Sequence, residues 1–396
     1  MITAALSICL LLLLACSGLS TPDGWSGGTL VGGVLYIGTE EGQLVALDKR
    51  TGEKLWLFDL LGEERDRAIY GSPALSGDTL YVSGYDGLLY VFDVGKSNDP
   101  LAWNDPVLRD SQEVKDLLET EPKHIVSGPV VADEDCSDMS ERNVPCQIVM
   151  VGSDDGNVYT FEVTFDDEFD ASIRELRRFP TGDKVWSTPA VANGVAYFGS
   201  LDHKVYAVRV DDGTLQWEFE TDGGVVASPL VIDGRVYVGS FDRTFYAIDA
   251  VSGDEVWRFT GANNWYWGAA VAGGDAILAP SLDGILYALE PSTGSLRWIV
   301  PTAERIVGAP ALVSEMVAVA SDDGRVLVAS LEDGDVKGFC TIEKKIRTPL
   351  TSEDGVVYLG ARDNTIRALS VSRSGDLDEK WAYMAKDANR VGGSAC

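Results

Sequence analysis

Eight acidic residues recur along this chain at turn-like positions: Glu41, Asp86, Asp155, Asp202, Asp242, Asp283, Asp323 and Asp363. The last five stand 40 or 41 residues apart. Repeated carboxylates are the raw material of a metal site or of acid–base catalysis. Their surroundings argue for a simpler role. Five sit in a Ser-x-Asp context, three of them followed by Gly, and several units carry a second turn of the Asp-x-x-Thr-Gly kind. Asp bonds its own backbone and Gly supplies positive φ, so these acids are read as turn formers.

A second set of charges is more suggestive. Segments leading into the innermost strand of a unit are often basic in an otherwise acidic chain: RDRAIYGSP with Arg65 and Arg67, PKHIVSGP with Lys123, GDKVWSTP with Lys184, AERIVGAP with Arg305, and EKKIRTP with Lys344, Lys345 and Arg347. The tail adds Arg390, and the sixth unit has Asn263, Asn264, Trp265 and Trp267 at that place. Gathered on one face, they would form a cationic, aromatic-edged funnel for an acidic peptide or another anionic ligand. The competing reading is local, with each basic residue pairing with a first-turn acid on the same face.

Other chemistry is sparse. His124 and His203 are the only histidines, too few for a histidine metal site or a hydrolytic triad. No HExxH or phosphate-binding loop occurs. The acidic run FDDEFDASIRE, Phe165 to Glu175, lacks the regular spacing of a calcium loop and reads as a solvated face. Cys136 and Cys146 bracket the acidic loop at about residues 133–146 and are expected to form a disulfide at its base. Cys340 reads as a small core thiol, and its pairing with Cys396 stays open.

These residues need positioning, and the chain shows how. From Val185 the runs VWSTPAV, GVAYFGS, KVYAVRV and TLQWEFE are short, rich in Val, Tyr, Phe and Trp, and separated by turn residues. They predict four antiparallel strands. The same pattern repeats eight times, with an insertion at about residues 96–124 that includes a possible short helix at SQEVKDLLE. Four-stranded sheets bury both faces when stacked radially. A tryptophan recurs on the fourth strand, as Trp56, Trp103, Trp217, Trp257, Trp298 and Trp381. Packed on the next sheet, each ring contributes roughly 2–4 kcal/mol. The third unit has no matching Trp and the seventh has Gly338 there, so those seams are expected to be the weakest.

From about Trp25 to Trp381 the units resemble pyrroloquinoline-quinone (PQQ) type propeller repeats, of pattern YVGSxDGxLYALDxxTGxxxW. The resemblance implies an all-β, eight-bladed β-propeller of four-stranded antiparallel blades. PQQ-dependent dehydrogenases share the repeats and are the alternative reading. They also need a calcium site facing the quinone, an acidic base and, commonly, two adjacent cysteines, a pair absent here. PQQ and calcium are therefore not expected, and no catalytic, cofactor-binding or metal residues are assigned. Non-catalytic members compare better, such as the lipoprotein subunit of the outer-membrane β-barrel assembly machinery.

The first residues are a separate element. MITAALSICLLLLLACSG carries a short apolar run that ends in Leu13-Leu14-Ala15-Cys16, which resembles a bacterial lipobox. By that resemblance residues 1–15 are a signal peptide, Cys16 carries lipid, residues 16–24 are a tether and residues 25–396 are the propeller. No Lys or Arg precedes the apolar run, and a plain secretory signal is the alternative. Either way the protein is exported, to the extracytoplasmic side of the membrane or the periplasm. At the other end RVGGSAC resembles an innermost strand, as does GWSGGTLV near Trp25. Both cannot fill one slot, and a cut-off ninth unit is a further possibility.

With 62 Asp and Glu against 32 Lys and Arg, the formal charge is −30. That argues against nucleic acid or anionic membrane surfaces as partners. The sequence reading is an exported, lipid-anchored, monomeric scaffold that binds an envelope or cell-surface protein or an anionic ligand.

Overall fold

The structure, a computed structural model, describes residues 26–60, 68–95, 124–133, 146–165, 171–342 and 344–385. Arg65, Arg67, Trp103, Lys123, Cys136, Arg390, Cys396 and the lipobox Cys16 lie outside these residues, as do residues 96–123 with their expected helix. Of the acidic run at 165–175, residues 171–175 belong to a strand, Ala171–Pro180, rather than to a loop.

The chain forms an eight-bladed β-propeller. Seven sheets have four strands in sequential order, and the second has three among the described residues. The fourth blade illustrates the unit, with strands Ala190–Ala192, Val195–Ser200, Lys204–Arg209 and Leu215–Glu220 running from channel to rim. The third and fourth strands slip by one residue beside the recurring tryptophan, between Ala207 and Val208. The same bulge recurs in blades one, three and five to eight.

Apolar side chains of adjacent blades interdigitate to form the core. Blades four and five share Tyr197, Val205, Trp217, Val236, Tyr246 and Ile248. Blades eight and one share Tyr358, Ile366 and Trp381 with Leu35, Ile37 and Val45. The ring closes through this last seam. Thr29–Val31 is the innermost strand of the first blade, which settles which of the two similar segments fills that slot. The C-terminal candidate lies outside the described residues.

Four rim tryptophans, Trp217, Trp257, Trp298 and Trp381, each meet a glycine of the next blade. Trp217 Nε1 donates to Ala250 O at 3.0 Å, Trp257 to Pro291 O at 2.9 Å, and Trp381 to Lys49 O at 3.0 Å across the closing seam. The ring lies against Gly253, Gly294 or Gly52, all at positive φ. A Cβ on Gly253 would come within 2.7 Å of Trp217, so that turn needs glycine on two counts.

Two seams depart from the rule, each differently from expectation. In the third blade Arg177 takes the tryptophan's register, opposite Thr160 at the bulge. Its guanidinium donates to Val210 O and its stem covers Gly213, so the third-to-fourth seam keeps the contact with another side chain. In the seventh blade Gly338 lets the neighbouring turn approach directly, since a Cβ there would stand 2.3 Å from Gly375 O. Cys340, expected as a free thiol, is disulfide-bonded, and so is Cys146. Their partners lie outside the described residues.

Candidate functional site

The turn between second and third strands, and the loop into the first strand, open on the same end of the ring. The first-turn acids are spent there on structure. Asp242 accepts hydrogen bonds from Thr244 N at 2.7 Å, Tyr246 Oη at 2.7 Å and Asp222 N at 3.0 Å in the incoming loop. Asp202 and Asp283 do the same with Tyr206 and Tyr287. Burial, and then these bonds, push the tyrosine hydroxyls of 206, 246 and 287 up. His203 follows the fourth-blade acid and adopts φ 71°, where most units have glycine. Its role is that of a turn residue.

The residue just before each acid matters more. Its N–H donates to the carbonyl of the incoming loop at 2.8 to 3.0 Å in blades two to eight. That bond fixes two residues per blade at the mouth: Tyr85 with Ala68, Asp154 with His124, Leu201 with Lys184, Phe241 with Gly224, Leu282 with Trp265, Asp322 with Arg305, and Arg362 with Lys345. Two residues further along the chain, the start of each innermost strand supplies the channel wall: Tyr70, Val126, Trp186, Val226, Trp267, Val307 and Arg347.

The result is a two-sided mouth above a central cavity of about 360 Å³. Blades two to six give an aromatic arc. Phe241 is stacked between Trp265, 4.6 Å away, and Trp267, 5.6 Å away. Trp267 reaches Trp186 at 6.1 Å. Tyr85 packs on His124 at 3.8 Å and edge-on to Tyr70 at 5.4 Å. Such offset and edge contacts hold rings rigidly, and Trp265 is still 40% exposed. Asn264 donates to Leu282 O at 3.3 Å and holds the Trp265 loop.

Blades seven, eight and one carry charge. Arg347 binds Asp322 bidentately, with both contacts at 2.7 Å. Arg305 lies 3.2 Å and Lys345 3.9 Å from the same carboxylate. The Asp322 side chain is only 2% exposed, while those of Arg305 and Lys345 are half exposed. Burial would raise the Asp322 pKa, but the Arg347 hydrogen bonds, with Lys345 and Arg305 beside them, hold it below the usual range. Arg362 stands 3.8 Å from Glu40 on the first blade.

These positions revise the cationic funnel. Lys184 lies on the aromatic side, 2.9 Å from Asp154 and 5.4 Å over Trp186. Trp186 Nε1 donates to the same Asp154. The basic residues do pair locally, but with Asp154 and Asp322, each one place before the first-turn acid. Among the described residues, three cations converge on the single carboxylate of Asp322. The residue before the acid went unnoticed in the sequence, although aligning the eight units on the turn acid puts it in one column.

A quinone with calcium fits this channel poorly. The wall includes no Asp, Glu, His or Cys among the described residues. Carboxylate ligands for calcium and an acidic base are therefore missing from the described wall. No group of three or more potential metal ligands occurs among the described residues, and no described helix is long and apolar enough to cross a membrane.

Comparisons with known proteins agree with the architecture. Residues 18–164, 170–264 and 251–337 match the family described as outer membrane protein assembly factor BamB. The crystal structure of BamB from Moraxella catarrhalis is similar at a TM-score of 0.64 and 14% identity, over 87% of this chain and 94% of that one. The computationally designed Ika8 protein is similar at a TM-score of 0.68 and 16% identity, over 88% and 96%. No curated protein matches the chain. At such identities the structures speak to fold alone, while the family match spans most of the sequence: the chain belongs to the outer membrane protein assembly factor BamB family of PQQ-type repeat propellers.

Proposed function

We propose that this protein is an exported, lipid-anchored propeller that binds other envelope proteins and serves as an assembly scaffold rather than an enzyme. One observation carries the reading. The concave end of the ring presents fixed aromatic rings and paired charges, while its described wall lacks the carboxylate, histidine or cysteine that proton transfer or metal binding draws on. Such a surface binds and positions. The family's printed description, an assembly factor of outer membrane proteins, points the same way. Lipid on Cys16 would hold the propeller at the membrane through the residue 16–24 tether, with no spanning segment. A net charge of −30 keeps it from nucleic acid and anionic lipid headgroups.

The test combines location with partnership. In its own host the chain is expected in the membrane fraction, labelled by an alkyne fatty acid. Cys16→Ser should lose the label. Mild cross-linking should recover the same envelope proteins with each preparation. A soluble, unlabelled chain without reproducible partners would contradict the reading. So would reduction of a dye with alcohols or aldose sugars once PQQ and calcium are added.

A further inference from the structure

The division of the mouth has a consequence for what it holds. A purely aromatic cup would take any apolar group, and a purely cationic one any anion. Here the two lie side by side around one opening, on neighbouring blades. Trp265, Phe241 and Trp267 form a stacked shelf on blades five and six. Arg305 and Lys345 stand on blades seven and eight, beside a carboxylate that Arg347 already occupies through both oxygens. Three cations on one carboxylate leave a local excess of positive charge in a chain of net charge −30. Asp322 is almost fully buried, whereas the Arg305 and Lys345 side chains are half exposed at the opening.

We infer that the channel mouth binds an extended acidic peptide segment that places one apolar side chain, preferably aromatic, in the central cavity. This rests on the scaffold reading and names the chemistry of its partner. Trp267, which belongs both to the shelf and to the cavity lining, takes the side chain by stacking. Acidic residues flanking it meet Arg305 and Lys345 through charge-assisted bonds. The cavity of about 360 Å³ accepts a side chain but lies near the lower end of the roughly 300–1,000 Å³ seen for small-molecule pockets. The cations at the rim are spread over two blades, which suits a chain passing across the opening. Lys184, the cation of the aromatic side, is neutralised by Asp154 and does not compete for the acids.

The test uses the intact propeller and capped, fluorescein-labelled peptides with four acidic residues around a central phenylalanine. Control peptides replace the phenylalanine by serine, or the acids by lysine; a further probe is unlabelled N-acetylphenylalanine amide as competitor. Anisotropy titrations are run at low and moderate salt. Saturable binding of the acidic phenylalanine peptide is expected, weakened roughly tenfold by moderate salt and by the double variant Arg305→Glu with Lys345→Glu. Trp265→Ala and the serine peptide should each lose severalfold. Thermal melts establish that the variants fold, and Val251→Glu, on the opposite face, should bind like the parent.

Equal binding of the lysine peptide, or no effect of the charge reversal in a folded variant, overturns the inference. So does absence of saturable binding. Full competition by N-acetylphenylalanine amide alone would show a small-molecule cup and also overturns it. The scaffold reading is judged separately. If the reversed variant still recovers the parent's envelope partners, scaffolding stands and the mouth is not the contact. If the parent recovers none, scaffolding fails whatever the peptides do.

Discussion

Single residues at this mouth were chosen for pairing, and their substitution should show it. Asp322 neutralises part of a cluster that includes the buried Arg347. Asp322→Ala strands that guanidinium and should destabilise by about 3–5 kcal/mol in denaturant melts. The acid dependence has a definite sign. The folded pKa of Asp322 is depressed, burial opposing and Arg347 prevailing. Its contribution is therefore complete above the unfolded value near ~4 and is lost as pH falls through the lower folded value. The stability gap between parent and Asp322→Ala should stay constant from neutral pH to about 5 and shrink only below about 4. A gap that closes between pH 7 and 5 would contradict the pairing. Tyr266 makes the opposite case. Its hydroxyl is buried without a hydrogen-bond partner, where the other described blades have Ile or Val. Tyr266→Phe should leave the fold intact and raise stability by about 1 kcal/mol, since it removes an unsatisfied group. A marked loss on melting would show that the hydroxyl has a partner.

At the scale of the blade, the unit of stability is the rim side chain with the glycine turn of the next blade. Trp217→Ala or Trp257→Ala removes a buried ring and its hydrogen bond, and should cost about 3–5 kcal/mol. Unchanged melts for both would rule out inter-blade packing by these rings. Arg177 extends the rule to a seam with no tryptophan. Arg177→Ala should destabilise by about 2 kcal/mol, mainly through the lost bond to Val210 O, and Arg177→Trp should recover most of it. The tryptophan rule was legible in the sequence because a large apolar residue recurs in one column. Its exception was not, because Arg reads as a solvated rim residue until the turn it touches is known. Gly338 was legible as a missing ring but not as a close approach, which depends on the backbone of Gly375. Cys340 was misread because a buried cysteine within a strand looks the same by sequence whether it is free or bonded.

At the scale of the whole molecule, eight near-equal units stacked with closing contacts between Trp381 and Lys49 make one ring. That architecture was legible from period and turn chemistry, because a repeat must bury its faces on its neighbours. The mouth was only half legible. Basic and aromatic residues of the incoming loops were visible, but their partners sit one place before each turn acid and belong to a neighbouring strand pair. Which charges cancel depends on that third dimension: Lys184 is absorbed by Asp154, and Arg305 with Lys345 is not absorbed by Asp322. The end of the ring with the incoming loops is proposed as the working one. Site-specific photo-cross-linking in the native envelope tests this most directly. A benzoylphenylalanine placed at position 265 at the mouth is compared with one at position 251, which is exposed on the opposite end. Discrete, reproducible adducts to envelope proteins from position 265, and none from position 251, are the expected result. Adducts from position 251 alone, or none from either position in a correctly exported chain, would contradict it.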